Sequence, residues 1–332
     1  MKQRSRLLRS IGIICTCAAL CLCNIPLVQA ESIVIDDIYP GNVFCSGPGP
    51  HEVTIETGAV IGSPGNVFGY SGVEPNTGNT VGVNGGTITG GVYVGFSGTV
   101  NPIGNIFNMT GGTVGSDVVV GATGQGPNGF LGTGNIIGNN EVHIEGGTIG
   151  GDVYGSATGA GNVSGNQEFH IDGGSIGGTV YSGYTNSGTV IDNEVNITNG
   201  TLRDVYGGYT ALGDGSGNAI TVGGGTINSA TSGYTAQGDV SGNVFIFSGG
   251  TINDITAGHT ELGVASRNEV KFEGGSTNQG TVNGNVIGGY SVAEGGVATE
   301  NTVSIDFGGA SNGMIAGGYS DYGDTTFNSV EL

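Results

Sequence analysis

Apolar and polar residues alternate in short stretches that recur from about residue 79 to the end of the chain. In the segment 194–197, Val195 and Ile197 are separated by a single polar residue. A period of two is typical of a β-strand with one buried face. Glycine or asparagine stands between one stretch and the next, and both adopt turn conformations with positive φ more readily than other residues do. The pattern therefore predicts short strands joined by tight corners.

The stretches belong to a repeat that is marked by Gly-Gly-Thr or a close variant. The third residue of this marker falls at Thr87, Thr113, Thr148, Ser175, Thr201, Thr226, Thr251, Ser276 and, in a degenerate form, Ala310. Successive markers are 26, 35, 27, 26, 25, 25, 25 and 34 residues apart. The two long steps are expected to be ordinary turns, each carrying a loop of about nine extra residues.

Other positions keep a fixed distance from the marker. Eight residues before it stand Asn79, Asn105, Asn140, Asn193, Asn218, Asn243 and Asn268, interrupted by Gln167. Six residues before it stand Val81, Phe107, Val142, Phe169, Val195, Ile220, Phe245 and Val270. One repeat cannot bury its own apolar face, so the repeats are expected to stack, each strand pairing in parallel with its equivalents in the neighbouring repeats.

These spacings define the predicted fold and its boundaries. We predict that residues 79–332 form an all-β right-handed parallel β-helix, a β-solenoid with three short strands per turn of about 25 residues. Residues 31–78 fit the repeat loosely and are expected to form an amino-terminal cap and irregular first turns. The segment 328–332 matches the opening of a further repeat, so we expect an array that ends in mid-repeat and continues in a longer protein.

Two columns of the repeat suit side-chain ladders. The recurring asparagine is expected to form an amide ladder along one corner. A second column comprises Tyr184, Tyr209, Tyr234, Tyr290 and Tyr319, interrupted by His259. Stacked tyrosine rings would stabilise one face of the solenoid. Exposed rings would instead suit the flat faces of sugars, so this column is also the candidate ligand-facing surface, and both interpretations stay open.

Composition and charge narrow the function. The chain has 72 glycines among 332 residues and 10% charged residues, whereas an average protein has about 25%. After residue 30 there are three basic residues, Arg203, Arg267 and Lys271, against 27 acidic ones, a formal charge of −24. Such a chain has almost nothing with which to neutralise phosphates, so nucleic acid is excluded as a partner.

The first 30 residues have the form of a secretory signal peptide. Four basic residues precede an apolar run over residues 11–23, and Val28 and Ala30 supply small residues before a cleavage site at Glu31. The apolar run is short for a membrane span, and no other stretch is long and apolar enough. Four of the five cysteines leave with this segment, so Cys45 is expected to be a lone thiol without a disulfide partner.

Candidate catalytic residues are few. His143 and His170 share one register and are expected to be exposed neighbours rather than metal ligands, because no third ligand is placed beside them. Asp117, Asp152, Asp204 and Asp254 each precede a Val-Tyr-like strand and are expected to cap a corner by bonding to backbone amides. The loop at 124–138 has no histidine, acid or base, and the insertion within 277–300 offers Glu294 and Glu300. We therefore expect a non-enzymatic protein without a cofactor or metal.

The segments Gly146-Gly-Thr-Ile-Gly-Gly-Asp-Val-Tyr-Gly155 and Asn199-Gly-Thr-Leu-Arg-Asp-Val-Tyr-Gly-Gly-Tyr-Thr210 resemble the passenger domains of bacterial autotransporters. The resemblance covers about residues 79–332. It implies a right-handed β-helix displayed at a Gram-negative cell surface or released outside the cell, acting as an adhesin or stalk towards a host or surface glycan or protein ligand. It also implies an outer-membrane translocator barrel downstream in the intact protein. The alternatives are a β-helical polysaccharide lyase or hydrolase and a self-assembling surface-matrix protein.

Overall fold

A computed structural model describes residues 32–45, 50–63, 65–72, 77–98, 101–124, 132–165, 168–274, 280–306 and 310–332. Over these residues the chain is all-β, and its parallel strands stack into a β-solenoid of about 10 turns of about 26 residues. The predicted signal peptide at residues 1–30 lies outside the described residues. Within them, no helix has the length and apolar character needed to cross a bilayer. The stacked parallel strands confirm the predicted β-solenoid.

The strands are short and follow one another at regular intervals. The amino-terminal strands are β1 (Ser32–Ile35), β2 (Ile38–Tyr39), β3 (Val43–Phe44), β4 (Glu52–Ile55), β5 (Val60–Ile61), β6 (Val67–Phe68), β7 (Ser71–Gly72), β8 (Thr80–Ile88), β9 (Val92–Ser97), β10 (Ile106–Val114) and β11 (Val118–Thr123). The central strands are β12 (Ile136–Ile137), β13 (Glu141–Ile144), β14 (Thr148–Ile149), β15 (Val153–Thr158), β16 (Val163–Ser164), β17 (Phe169–Ile171), β18 (Ser175–Thr185), β19 (Val190–Ile191), β20 (Glu194–Ile197), β21 (Thr201–Thr210), β22 (Gly215–Ser216), β23 (Ala219–Val222) and β24 (Thr226–Thr235). The carboxy-terminal strands are β25 (Val240–Ser241), β26 (Val244–Phe247), β27 (Thr251–Thr260), β28 (Val264–Ser266), β29 (Glu269–Phe272), β30 (Thr281–Val282), β31 (Val286–Ser291), β32 (Val297–Thr299), β33 (Thr302–Ile305), β34 (Ala310–Ser311), β35 (Ile315–Ser320), β36 (Thr325–Thr326) and β37 (Ser329–Glu331).

A single turn shows how the repeat folds. In the turn that starts at Asn193, β20 is followed by β21, a continuous strand that passes through the marker Thr201 and the Val-Tyr motif. The two-residue strand β22 closes the turn and belongs to a separate sheet of eight short strands, one per turn from β12 to β36. This turn therefore has three strands: β21 spans two of the strands that the sequence pattern predicts separately, and β22 is a short strand that the pattern does not predict.

The apolar columns line the interior of the solenoid. Val195 pairs with Ile220, and Ile220 pairs with Phe245, each one turn further along the stack. All three side chains are fully buried, as are their equivalents at Val81, Phe107, Val142, Phe169 and Val270. Burying a valine, isoleucine or phenylalanine side chain stabilises a fold by about 1.5–3 kcal/mol, so stacking provides what a single repeat lacks.

The asparagine column forms the predicted amide ladder. The Nδ2 of Asn218 donates to Oδ1 of Asn243 at 3.0 Å, and the Nδ2 of Asn243 donates to Oδ1 of Asn268 at 2.9 Å. The ladder continues through Asn301 to Asn328, which the marker spacing did not include. The amides from Asn218 to Asn301 are buried, Asn328 is half-buried, and each is hydrogen-bonded, as buried polar groups generally are.

Register places one marker differently from the prediction. Thr281 pairs with Thr251, and Val282 pairs with Ile252, so Thr281 holds the position assigned to Ser276. Ser276 itself lies outside the described residues. Phe272 pairs with Phe247, and Thr281 stands nine residues after Phe272 whereas Thr251 stands four after Phe247, so five extra residues precede Thr281 in this turn. The prediction for Ala310 is confirmed, because it pairs with Thr281.

The same pairing extends to both ends of the described chain. Val53 pairs with Val81, and Ile33 pairs with Val53, so the residues from Ser32 onward already stack on the repeats that follow. At the other end, Thr302 pairs with Ser329, as the match of residues 328–332 to a repeat opening predicts.

Candidate ligand-facing surface

The tyrosine column predicted from the sequence lies on the outside of the strands that follow the Val-Tyr motif. In β21, Val205 and Thr210 are buried, whereas Tyr206 and Tyr209 are half-buried. Strand pairing places the predicted residues in one row: Tyr184, Tyr209, Tyr234, His259, Tyr290 and Tyr319. We call this row the second column, because another row, the first column, lies three residues earlier in each strand. The predicted column therefore exists as one continuous row of side chains.

A parallel row of mostly aromatic side chains lies three residues earlier in each strand. This first column comprises Phe44, Phe68, Tyr93, Val119, Tyr154, Tyr181 and Tyr206. The Val-Tyr motif is visible in the sequence, but it does not identify the first column, because the residue type there varies between phenylalanine, tyrosine and valine. Pairing register, rather than residue identity, reveals it.

The rings of the two columns are arranged in a herringbone. Within a column, Tyr184 and Tyr209 are stacked, with ring centroids 5.3 Å apart and planes inclined by 5°. Between columns, Tyr181 meets Tyr184 edge-to-face at 5.4 Å and 76°. Both arrangements match the quadrupoles of aromatic rings and contribute about 0.5–1.5 kcal/mol per pair beyond burial. The stacking interpretation of the tyrosine column is confirmed for Tyr184, Tyr209 and Tyr234, whereas the rings of Tyr290 and Tyr319 are tilted by 43° at 5.5 Å.

Stacking also determines which part of each ring a ligand could reach. The ring of Tyr209 has Tyr184 on one face and Tyr234 on the other, at 5.3 Å and 4.8 Å. A sugar that stacks on an aromatic residue needs an open face, and here the neighbouring rings cover both. What Tyr209 leaves towards the surface is therefore its ring edge and hydroxyl group. The prediction that this column contacts a ligand stays a prediction.

The hydroxyl groups have acidic or amide partners. Tyr154 donates to Asp152 at 3.1 Å, Tyr234 to Glu261 at 2.8 Å, and Tyr290 to Asp321 at 2.7 Å. Burial, then the hydrogen bond to Asp321, raises the pKa of Tyr290 to about 12. For Tyr154 and Tyr234, burial and the nearby carboxylates likewise raise the pKa well above its usual value. These phenols are therefore neutral hydrogen-bond donors at ordinary pH.

His259 occupies a tyrosine position in the second column. It meets Tyr234 edge-to-face at 5.0 Å and Tyr290 at 4.7 Å in a tilted arrangement. Its Nε2 atom is buried without a hydrogen-bond partner. Burial lowers the pKa of His259 from 6.5 to about 4, against the opposing influence of Glu261 and Asp321. The imidazole is therefore a neutral ring that continues the aromatic row at neutral pH.

The glycines between the two tyrosines allow this surface to form over the asparagine ladder. A Cβ added at Gly208 would lie 2.6 Å from Cγ of Asn218, and one added at Gly258 would lie 2.4 Å from Cγ of Asn268. No side chain fits there, so a ladder asparagine requires glycine at this position. The exception is the turn whose next column residue is Gln167, which interrupts the asparagine column. In the turn of Asn140 the equivalent position is Ser156, whose Oγ accepts a hydrogen bond from Nδ2 of Asn140 at 2.8 Å.

The aspartates before the Val-Tyr strands cap corners, as predicted. Oδ1 of Asp117 accepts the backbone N–H of Asp152 at 2.9 Å, and Oδ1 of Asp152 accepts that of Thr179 at 2.7 Å. Oδ1 of Asp254 does the same for Asn285 at 2.8 Å. Asp204 differs, because its Oδ1 accepts side-chain donors, among them the hydroxyl of Ser229 at 2.7 Å. These carboxylates therefore form hydrogen bonds between neighbouring turns.

The two predicted neighbouring histidines lie in register on the outside of another face. The rings of His143 and His170 are stacked at 5.3 Å and 5°, and Nε2 of His143 lies 3.5 Å from Oε2 of Glu141. Over the part of the chain that the structure describes, no group of three or more histidine, cysteine or acidic residues is placed to hold a metal ion. Cys45 is buried and free, as its position as the one cysteine after residue 30 predicts.

No family model, no curated protein and no solved structure matches the chain. The functional interpretation therefore depends on the solenoid and its side-chain ladders.

Proposed function

We propose that the protein is a non-enzymatic exported β-solenoid that acts as a surface stalk or adhesin passenger. The observation that carries the proposal is the continuity of its ladders: paired strands, the asparagine corner and the aromatic face each run through many successive turns. About 10 turns at about 4.8 Å per turn give a rod on the order of 50 Å long. A rod with a repeated side-chain surface suits display and adhesion.

Export is proposed from the first 30 residues, which combine a basic start, an apolar run and small residues before Glu31. The resemblance to autotransporter passengers supports a cell-surface or extracellular location. The acidic character of the chain after residue 30 supports a partner other than nucleic acid, because carboxylates repel phosphates.

Export and adhesion are tested separately. Expression of the full chain in a Gram-negative host should yield a product outside the cytoplasm that begins at Glu31, as measured by mass spectrometry of the intact protein. Retention of residues 1–30 on a cytoplasmic product would contradict export. Purified protein coupled to beads should then bind to cells or to glycan arrays, and beads that carry an unrelated acidic protein serve as the control.

The rival assignment is a β-helical polysaccharide lyase or hydrolase. Incubation of the purified protein with acidic and neutral polysaccharides should release no reducing or unsaturated sugar. Clear turnover that is retained through purification would overturn the non-enzymatic assignment.

A further inference from the structure

The aromatic face changes character after Tyr206. In the turns of Tyr154, Tyr181 and Tyr206, the first column supplies a ring that meets the second column edge-to-face. In the next four turns the same register positions hold Thr231, Thr256, Ile287 and Ala316. The second column keeps its rings there as Tyr234, His259, Tyr290 and Tyr319. We call this half of the face the trough, with the four smaller residues as its floor and the four rings as its wall.

The ring contacts of the earlier turns show which shape fits against the wall. Tyr206 meets Tyr209 edge-to-face at 5.5 Å and 83°, and the equivalent contact in the turn before is 5.4 Å and 76°. Thr231 and Thr256 are half-buried and carry no ring, so their own turns supply no first-column ring to Tyr234 and His259. Tyr234 instead meets Tyr206 of the preceding turn edge-to-face at 5.8 Å and 74°, and it meets His259 at 5.0 Å and 72°. A planar ring from outside can take the place of the missing first-column ring.

Carboxylates stand along the trough. Glu261 accepts the hydroxyl of Tyr234, and Asp321 accepts that of Tyr290, so both acids lie at the wall. Asp254 lies two residues before the floor residue Thr256 and is exposed. Of the basic residues, Arg203 pairs with Asp204 at 3.2 Å, and Lys271 pairs with Glu269 at 3.1 Å on a different strand. The negative charge of these carboxylates favours a cation.

The direction of the trough constrains the length of its occupant. Floor and wall each contribute one residue per turn, so the trough runs across the strands with a spacing of about 4.8 Å. Four turns therefore span about 15 Å, which suits an elongated molecule that lies along the solenoid.

We propose that the trough binds a small, elongated, planar aromatic cation. This proposal rests on the proposed role of the protein as a non-enzymatic binding surface and names the ligand class for one part of that surface. The occupant lies along the floor with its rings against Tyr234, His259 and Tyr290, and its positive charge lies near Glu261 and Asp321. The earlier turns are closed to it because Tyr154, Tyr181 and Tyr206 already fill the equivalent positions.

The probe for this test is thioflavin T, a planar benzothiazolium cation, titrated into the full chain and followed by fluorescence. We expect saturable binding that weakens as salt is added, because salt screens the carboxylates. The variant Thr231→Tyr/Thr256→Tyr extends the first column into the trough and should bind about tenfold more weakly. The matched control is Thr221→Tyr, which adds a tyrosine at a half-buried position on a different strand and should bind as the unmodified protein does.

A second variant keeps the test decisive if the added rings disturb folding. Glu261→Gln retains an acceptor for the Tyr234 hydroxyl but removes the charge, so it should weaken binding and reduce its salt dependence. Circular dichroism and urea unfolding establish that each variant is folded. Unchanged thioflavin T binding by the folded Thr231→Tyr/Thr256→Tyr variant would overturn the proposal, because the dye would then bind elsewhere. Binding of the planar dianion Congo red as tightly as thioflavin T would also overturn it. Loss of dye binding with retained adhesion to cells would refute the ligand class alone, whereas absence of adhesion with normal dye binding would refute the proposed function.

Discussion

The side-chain oxygen of Asn243 accepts two hydrogen bonds from Asn218, one from its backbone N–H at 3.0 Å and one from its Nδ2 at 3.0 Å. The Nδ2 of Asn243 donates in turn to Oδ1 of Asn268 and to the carbonyl oxygen of Gly215. A single buried amide therefore joins three turns. It also satisfies backbone groups at a corner where no strand partner is available.

Replacement of Asn243 by alanine is expected to lower the free energy of unfolding by about 3 kcal/mol. The substitution leaves two donors of Asn218 and the carbonyl oxygen of Gly215 buried without partners, and each such group costs about 1–3 kcal/mol. Urea unfolding followed by circular dichroism measures the change. The matched control is Asn253→Ala, because Asn253 donates to Asn228 at 3.1 Å in an exposed amide pair. That variant should lose less than about 0.5 kcal/mol, and equal losses in both variants would contradict a special role for the buried ladder.

Gly258 is expected to tolerate no side chain. An alanine Cβ there would lie 2.4 Å from Cγ and 2.5 Å from both terminal atoms of Asn268, so the ladder would have to move. We expect Gly258→Ala to lower the free energy of unfolding by roughly 2 kcal/mol or more, as overpacking of a tight interior does. Gly274→Ala is the control, since an added Cβ there meets nothing within 4 Å. A shift in the urea midpoint confined to Gly258→Ala supports the steric argument, and similar midpoints would refute it.

The sequence predicted those features of the fold that every turn repeats. The asparagine ladder and the apolar columns at Val195 and Ile197 recur because each turn must satisfy the same corner and fill the same interior. Prediction was wrong at Ser276, where the marker sequence is present but an insertion moves Thr281 into register with Thr251. Residue identity cannot reveal such a shift, because strand pairing depends on which side chains the neighbouring turn can bury.

The candidate surface was predicted in part. The second column was visible because tyrosine recurs at one position, whereas the first column varies between Phe68, Tyr93 and Val119 and was missed. Whether rings present faces or edges depends on side-chain torsions and on contacts between the columns, such as that of Tyr181 with Tyr184. Those contacts follow from three-dimensional packing and not from spacing alone. The short strands such as Val190–Ile191 were missed because two residues are too few to show a period.

Cys45 is expected to report the opening of the amino-terminal turns. Its side chain is 2% exposed, and burial raises the pKa of the thiol to about 11. Reaction with a thiol reagent requires an accessible thiolate, so labelling of the native protein at pH 8 should be much slower than labelling in urea. Absorbance of the released chromophore from Ellman's reagent measures both rates, with Cys45→Ser as the blank. Rapid labelling of the native protein would contradict the buried position.

His259 is expected to make the stability of the protein depend on pH between about 6.5 and 4. Burial lowers the pKa of the folded form to about 4 from 6.5, so within this window the unfolded chain binds a proton that the folded chain does not. Stability from this residue is therefore fully present above pH 6.5, decreases as the pH falls, and changes no further below about 4. The loss amounts to roughly 3 kcal/mol at most. Carboxylates add their own pH dependence to the free energy of unfolding. The test therefore compares urea unfolding of the unmodified protein with that of His259→Tyr. This variant has the residue that Tyr234 and Tyr290 supply at the equivalent positions of the neighbouring turns. The difference between their free energies of unfolding should shift in favour of the variant as the pH falls from 6.5 to 4, and a constant difference would show that His259 does not titrate as its buried position requires.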